Sequence, residues 1–192
     1  MFLINPILNV CERLGRRLLM LFSIVGRLVM FAFHALRDVL VPPYYPKLIG
    51  QQFINIGYYS LTVVGLTALF SGMVLALQSY TGFARFNAES AIANVVVLSI
   101  TRELAPVLAG LMVAGRIGAS IAAEIGTMRV TEQIDAMTTL SVNPFQYLIA
   151  PRVLAGTLML PVLVFIADII GVFGGFIVGV YVLDFNPYTY IQ

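Results

Sequence analysis

RELAPVLAGLMVAGRIGASIAAEIGTMRVTEQIDAMTTLSVNPFQYLIAP, residues 102–151, is the stretch on which the reading of the chain turns. A long apolar helix carries Arg102 and Glu103 inside it and then runs into a short, acid-bearing polar segment. That segment stops at Asn143-Pro144, and the chain returns at once to apolar sequence. A charge set within lipid-length hydrophobic sequence costs on the order of a few kcal/mol, so such residues are kept for packing or for function. A small polar helix held between two membrane spans is a shape that can receive force from a soluble partner.

The surrounding composition agrees with a membrane setting. Of 192 residues, 60% are hydrophobic and only 10% charged, with mean hydropathy +0.96 and no Trp. Soluble domains carry about 25% charged residues. The net charge of +2 gives no reason to expect nucleic acid as a partner. The single cysteine, Cys11, excludes an internal disulfide and any cysteine-based metal cluster, and reads as a free thiol packed in lipid or protein. The N-terminus is not expected to be a cleavable signal peptide: its arginines are interspersed among apolar residues, and no small-residue cleavage site follows.

Taken in order, residues 1–40 place Asn5, Asn9, Glu12, Arg13, Arg16, Arg17, Ser23, Arg27, His34, Arg37 and Asp38 within one helical arc of roughly 160°. The opposite face is Leu, Ile, Val, Phe and Met. This pattern predicts an amphipathic helix lying in the membrane interface, with His34 solvated; the alternative is a first transmembrane helix with an arginine-rich face. Val41-Pro42-Pro43-Tyr44-Tyr45-Pro46 breaks the helix. Transmembrane helices are expected at 53–77, 91–123 and 153–183, with a polar turn at Gln78–Ser90 and a polar, aromatic tail from Asp184. The second must tilt, kink at Pro106 or project beyond the bilayer. Two rows of small residues, Gly110-Ala114-Gly118-Ala122 and Gly115-Ala119-Ala123, let another helix approach it closely. Arginines flank the N-terminal helix and the 124–152 segment, while the other turn has only Arg85, so the positive-inside rule places that segment in the cytoplasm.

Within that segment Thr131 is expected as the helix N-cap, with Glu132 and Asp135 in the first turn and Gly126 allowing a tight turn at the join. Ile134, Met137 and Leu140 supply an apolar face and leave Glu132, Gln133 and Asp135 free for a partner. The pattern fits equally a knob for a cytoplasmic groove or an ordinary capped loop helix lying on the membrane. Arg102 and Glu103 lie about 100° apart, so they do not simply pair. Together with Asp168, a lone carboxylate inside the third span, they are candidates for a transport path or for an interhelical ion pair. The sequence has no GxxxxGK[ST] nucleotide loop, no GxSxG and no HExxH. No metal ligand set is found.

The run RELAPVLAGLMVAGRIGASIAAEIGTMRVTEQIDAM with the following NPFQYLIAPRVLAG resembles the MlaE/YrbE family, permease subunits of ABC transporters that move phospholipids. The likeness is dense over residues 89–156. It implies that Glu124, Gly126, Thr127, Thr131, Glu132, Gln133 and Asp135 belong to a coupling helix that docks on an ABC ATPase. It also implies a second permease copy, a periplasmic lipid-binding protein of the MCE type, and membrane phospholipids as partners. No cofactor would be bound directly, ATP being used by the ATPase. Family members typically continue with further spans, so the chain reads as a truncated or shortened member. The expectation is therefore an all-α integral protein of the bacterial inner membrane, a single permease domain over 1–192 with coupling segment 124–152, and no enzyme in itself. The competing readings are a non-transporting membrane scaffold and an ion-driven secondary transporter using Asp168.

Overall fold

The computed structural model describes residues 4–42, 45–83 and 89–184. Pro43 and Tyr44 of the expected break, Arg85, the surroundings of Cys11 and the tail from residue 185 lie outside the described residues. Among the described residues every regular element is helical. The helices are α1 (Ile4–Leu40), α2 (Pro46–Phe53), α3 (Tyr59–Phe83), α4 (Glu89–Ser99), α5 (Ala105–Val130), α6 (Gln133–Thr139) and α7 (Ala150–Tyr181).

Three wider π-helical turns join these pieces without a break: Ile54–Tyr58 links α2 to α3, Ile100–Leu104 links α4 to α5, and Phe145–Ile149 leads into α7. Two of them have a visible cause. Pro106 and Pro151 lack an N–H, so the carbonyls of Arg102 and Tyr147 lose their usual partners and are crowded by the proline rings. A turn of longer hydrogen-bond span just ahead relieves both problems.

Among the described residues four stretches are long and apolar enough to cross a membrane: Glu12–Leu40, Pro46–Phe83, Ile92–Val130 and Phe145–Tyr181. The helices therefore run further than the spans expected from hydropathy. The polar turn expected over Gln78–Ser90 is shorter, since α3 continues to Phe83 and α4 starts at Glu89. The 39 residues of Ile92–Val130 extend over roughly 58 Å at 1.5 Å per residue, about twice the hydrocarbon thickness. A helix of that length must tilt, bend at the widened turn or project from the bilayer. On α1 the polar and apolar residues segregate far more strongly than on α3, α5 or α7. Its apolar face, including Leu18, Leu21, Phe22, Leu28 and Phe33, is not covered by the rest of the chain. Its C-terminal part docks: Phe31 and His34 meet the Phe145 ring at centroid distances of 5.6 and 6.3 Å, and Ala35 is buried.

The core lies where α3 and α7 meet, closed on one side by α4 and α5. Ile56, Val64, Ile92, Val96, Ile100 and Leu163 fill it, with Ala68, Ala76, Ala105, Ala155 and Ala167 keeping the backbones close. The α3–α7 contact needs glycine. A Cβ on Gly72 would sit 2.0 Å from the Gly171 carbonyl oxygen, and one on Gly174 would sit 2.4 Å from that of Leu69. Between helices already surrounded by lipid, such close dispersion contact is what association relies on. By contrast, a Cβ on Gly110, Gly115 or Gly118 of α5 meets nothing within 4 Å, so the small-residue rows face away from this core.

Gly72→Ala should therefore force α3 and α7 apart and cost about 1–3 kcal/mol. In the monomeric chain Gly118→Ala should be neutral or slightly stabilising, since alanine is the better helix former. Thermal unfolding in detergent compares the two; equal losses would contradict this packing.

Candidate functional site

The polar stretch after α5 folds around satisfied chain ends. Thr127 Oγ1 donates to the carbonyls of Ala123 (2.9 Å) and Glu124 (2.8 Å), and Thr131 Oγ1 donates to that of Thr127 (2.8 Å). Thr131 thus closes α5 rather than opening α6, which corrects the expectation that it caps the following helix. The cause is that α5 keeps its hydrogen bonding to Val130, so the hydroxyl finds carbonyls behind it before any free N–H ahead. Nor does Gly126 make the turn, for it lies inside α5. Glu132 turns the chain instead, in the left-handed region at φ 59°, and its carbonyl accepts the Ala136 N–H at 2.9 Å. Such a conformation costs a non-glycine residue roughly 1–2 kcal/mol.

Helix α6 ends in a paired closure. Val142 N–H donates to the Met137 carbonyl and Ser141 N–H to that of Thr138, both at 3.0 Å, with Ser141 at φ 60°. Asn143 Oδ1 then accepts the Phe145 N–H at 3.0 Å, and Pro144 starts the next helical turn. Ile134 and Met137 are half-buried, as their spacing predicts, but Leu140 is exposed, because the chain has already left the helix. Glu132, Gln133 and Asp135 are all exposed. Asp135 Oδ1 accepts from Arg129 Nη1 at 2.8 Å, tying α6 back to the last turn of α5.

Glu124 behaves differently from the other acids. Its Oε2 lies 2.6 Å from Arg152 Nη2 in the first turn of α7, and the Arg152 side chain is only 6% exposed. The segment thus leaves α5 and re-enters α7 through one ion pair. The same end of the bundle gathers Phe31 and His34 of α1 on Phe145, and Tyr45 against Tyr147 at 5.4 Å. Nothing in the spacing of the sequence marks Glu124 and Arg152 as partners, because they belong to different helices.

The three intramembrane candidates do not form a cluster. Arg102 and Glu103 occupy the widened turn before Pro106 and are exposed. Among the described residues neither forms an ion pair. Asp168 Oδ1 is buried without a hydrogen-bond partner, so the interhelical pair considered for it is not made. Asp168 and Thr101 line an open groove of about 730 Å³ with Phe165, Val172 and Phe173.

The family model for the permease MlaE matches residues 49–192, from α2 to the end of the chain. The chain belongs to the MlaE permease family. A probable ABC transporter permease protein of Rickettsia bellii is 58% identical over 185 residues, covering 96% of this chain and 71% of the relative. The intermembrane phospholipid transport system permease protein MlaE of Haemophilus influenzae is 39% identical over 175 residues, or 91% of this chain and 67% of that one. A probable permease of Synechocystis is 43% identical over 142 residues, 74% of this chain and 54% of the relative. This MlaE-family chain is thus a multi-pass permease subunit of an ABC transporter, a protein of the inner membrane. As a permease it is not the catalytic subunit.

In this MlaE-family permease the buried guanidinium of Arg152 depends on Glu124, since its Nε and Nη1 have no hydrogen-bond partner. Leaving a buried charge without its partner costs about 3–5 kcal/mol, whereas an apolar replacement of both members is often neutral. Glu124 is half-exposed, which places Glu124→Gln near the lower end, about 3 kcal/mol. Adding Arg152→Met to that variant should restore most of the loss. Detergent unfolding of the two variants checks this; a double variant less stable than Glu124→Gln alone would contradict it.

Proposed function

We propose that the chain is the membrane-embedded half of an ABC transporter that moves phospholipids between the bacterial inner membrane and the periplasm or outer membrane. The observation that carries this reading is α6, an exposed acid-bearing tip beyond the end of α5 that is tied to α5 by Arg129–Asp135, with Glu124–Arg152 joining α5 to α7. An ABC ATPase takes that tip in a basic groove and hydrolyses the ATP, no cofactor being held by the permease itself. Glu132 and Gln133 provide the outward contact. Arg129–Asp135, Thr127, Thr131 and the backbone around Gly126 shape it, and Glu124 transmits its displacement to α7.

Other features support further parts of the same assembly. The open small-residue rows of α5 accept the corresponding face of a second permease copy. The uncovered apolar face of α1, with Arg13, Arg16, Arg17 and Arg27 opposite, suits a helix lying in the cytoplasmic interface and leaves three spanning segments. A periplasmic lipid-binding protein of the MCE type receives or delivers lipid at the far end. Arg102, Glu103 and Asp168 face the lipid path. The Haemophilus relative, named for phospholipid transport, favours this over a passive scaffold or an ion-driven carrier.

Charge reversal tests the docking. Glu132→Lys combined with Gln133→Lys leaves the Arg129–Asp135 bridge intact and sets like charges against the groove, a juxtaposition that costs several kcal/mol. The variant should insert normally yet retain at least about tenfold less tagged ATPase in a pull-down. Equal recovery with lipid-stimulated hydrolysis intact would mean that coupling runs through another surface.

A further inference from the structure

A second polar feature joins α5 to α3 on the exposed flank of α5, with the buried Ser60 behind it. Arg116 Nη1 donates to Ser60 Oγ at 2.7 Å, joining α5 to α3 across lipid-length sequence. Ser60 is 1% exposed. Arg116 lies fourteen residues before Val130 in α5, roughly 21 Å along the helix, well back from the turn into α6. Among the described residues it forms no ion pair, and its remaining N–H donors need acceptors.

Beside it is a cavity of about 200 Å³, lined on the polar side by Gln52, Asn55, Tyr59, Arg116, Ser120 and Glu124. Arg116, Ser120 and Glu124 recur every four residues, so they form one polar face of α5. Apolar walls come from Ile56, Ile117 and Ile121. A carboxylate in the lining would oppose an anion, but Glu124 is neutralised by Arg152 at 2.6 Å. The charge left to act inside the cavity is that of Arg116.

We propose that this cavity holds a phosphate-type anion on Arg116, carried in the membrane by a phospholipid headgroup. The guanidinium fork matches two phosphate oxygens at once, and Ser60 fixes its orientation from behind. The Gln52, Asn55, Tyr59 and Ser120 side chains are neutral donors around that point, while the isoleucines suit the glycerol and first methylenes. In naming the ligand class this rests on the reading of the chain as a lipid permease, which the ATPase pull-down tests separately.

The test uses the full chain in phospholipid-free detergent with Cys11→Ser and Ser120→Cys, and follows maleimide labelling of the introduced thiol. Phosphatidylglycerol should slow labelling about tenfold, the scale of one charge-assisted contact. Diacylglycerol with the same chains should not. Protection should disappear in Arg116→Gln, weaken in Ser60→Ala and persist in part in Arg116→Lys, which keeps the charge and serves as the folding control. Inorganic phosphate is the third arm: protection by it as well would keep the anion site and make free phosphate a second source. Protection by diacylglycerol equal to that by phosphatidylglycerol, or protection by neither lipid nor phosphate, would overturn the proposal. So would protection that survives Arg116→Gln.

Discussion

The Glu124–Arg152 ion pair is the constraint on which the α6 end of this permease depends. It joins the C-terminal part of α5 to the first turn of α7, so the polar loop between them is anchored at both ends. The guanidinium is nearly buried while Glu124 is half-exposed, so breaking the pair strands the Arg152 charge. Exposed Arg129–Asp135 is a weaker tie, of a class worth about 0–1 kcal/mol, and serves to orient α6 on α5. Force applied to α6 therefore reaches α7 through a short, stiff path.

Behind α7 is the frame built on Gly72 and Gly174. At those two positions backbone meets backbone of α3 and α7 directly. Compliance is found elsewhere, in the widened turns before Pro106 and Pro151, where the regular hydrogen-bond ladder is already interrupted. Arg102 and Glu103 sit in the first of these turns, and Phe145, which receives α1, sits in the second. The charged pair in the span and the docking point of the N-terminal helix thus lie where the helices can adjust.

Much of this architecture is legible in the sequence because lipid imposes simple rules. Long apolar runs become helices, Asn143-Pro144 ends one and begins another, and Ile134 with Met137 turn inward at helical spacing. The open rows on α5 follow from Gly and Ala at four-residue intervals. Local chain reversal is less legible: Glu132 and Ser141 adopt left-handed conformations that a sequence reader assigns to glycine, and Gly126 stays helical. Thr131 has cap chemistry at either helix, and only the persistence of α5 to Val130 decides which. The ion pair and the Arg116–Ser60 bond, 56 residues apart, leave no periodic trace. For α1, length and hydropathy permit crossing while the polar stripe favours lying flat, and its docking on α7 and the turn at Phe145 decides neither.

The central claim is that α6 is the surface an ATPase grips, and contact is its most direct measure. A photo-crosslinking side chain at Gln133, expressed in the native membrane, should yield an adduct with an ABC ATPase subunit. The same group at Gly82, at the far end of α3, should yield none. An ATPase adduct from Gly82 with none from Gln133 would contradict the account.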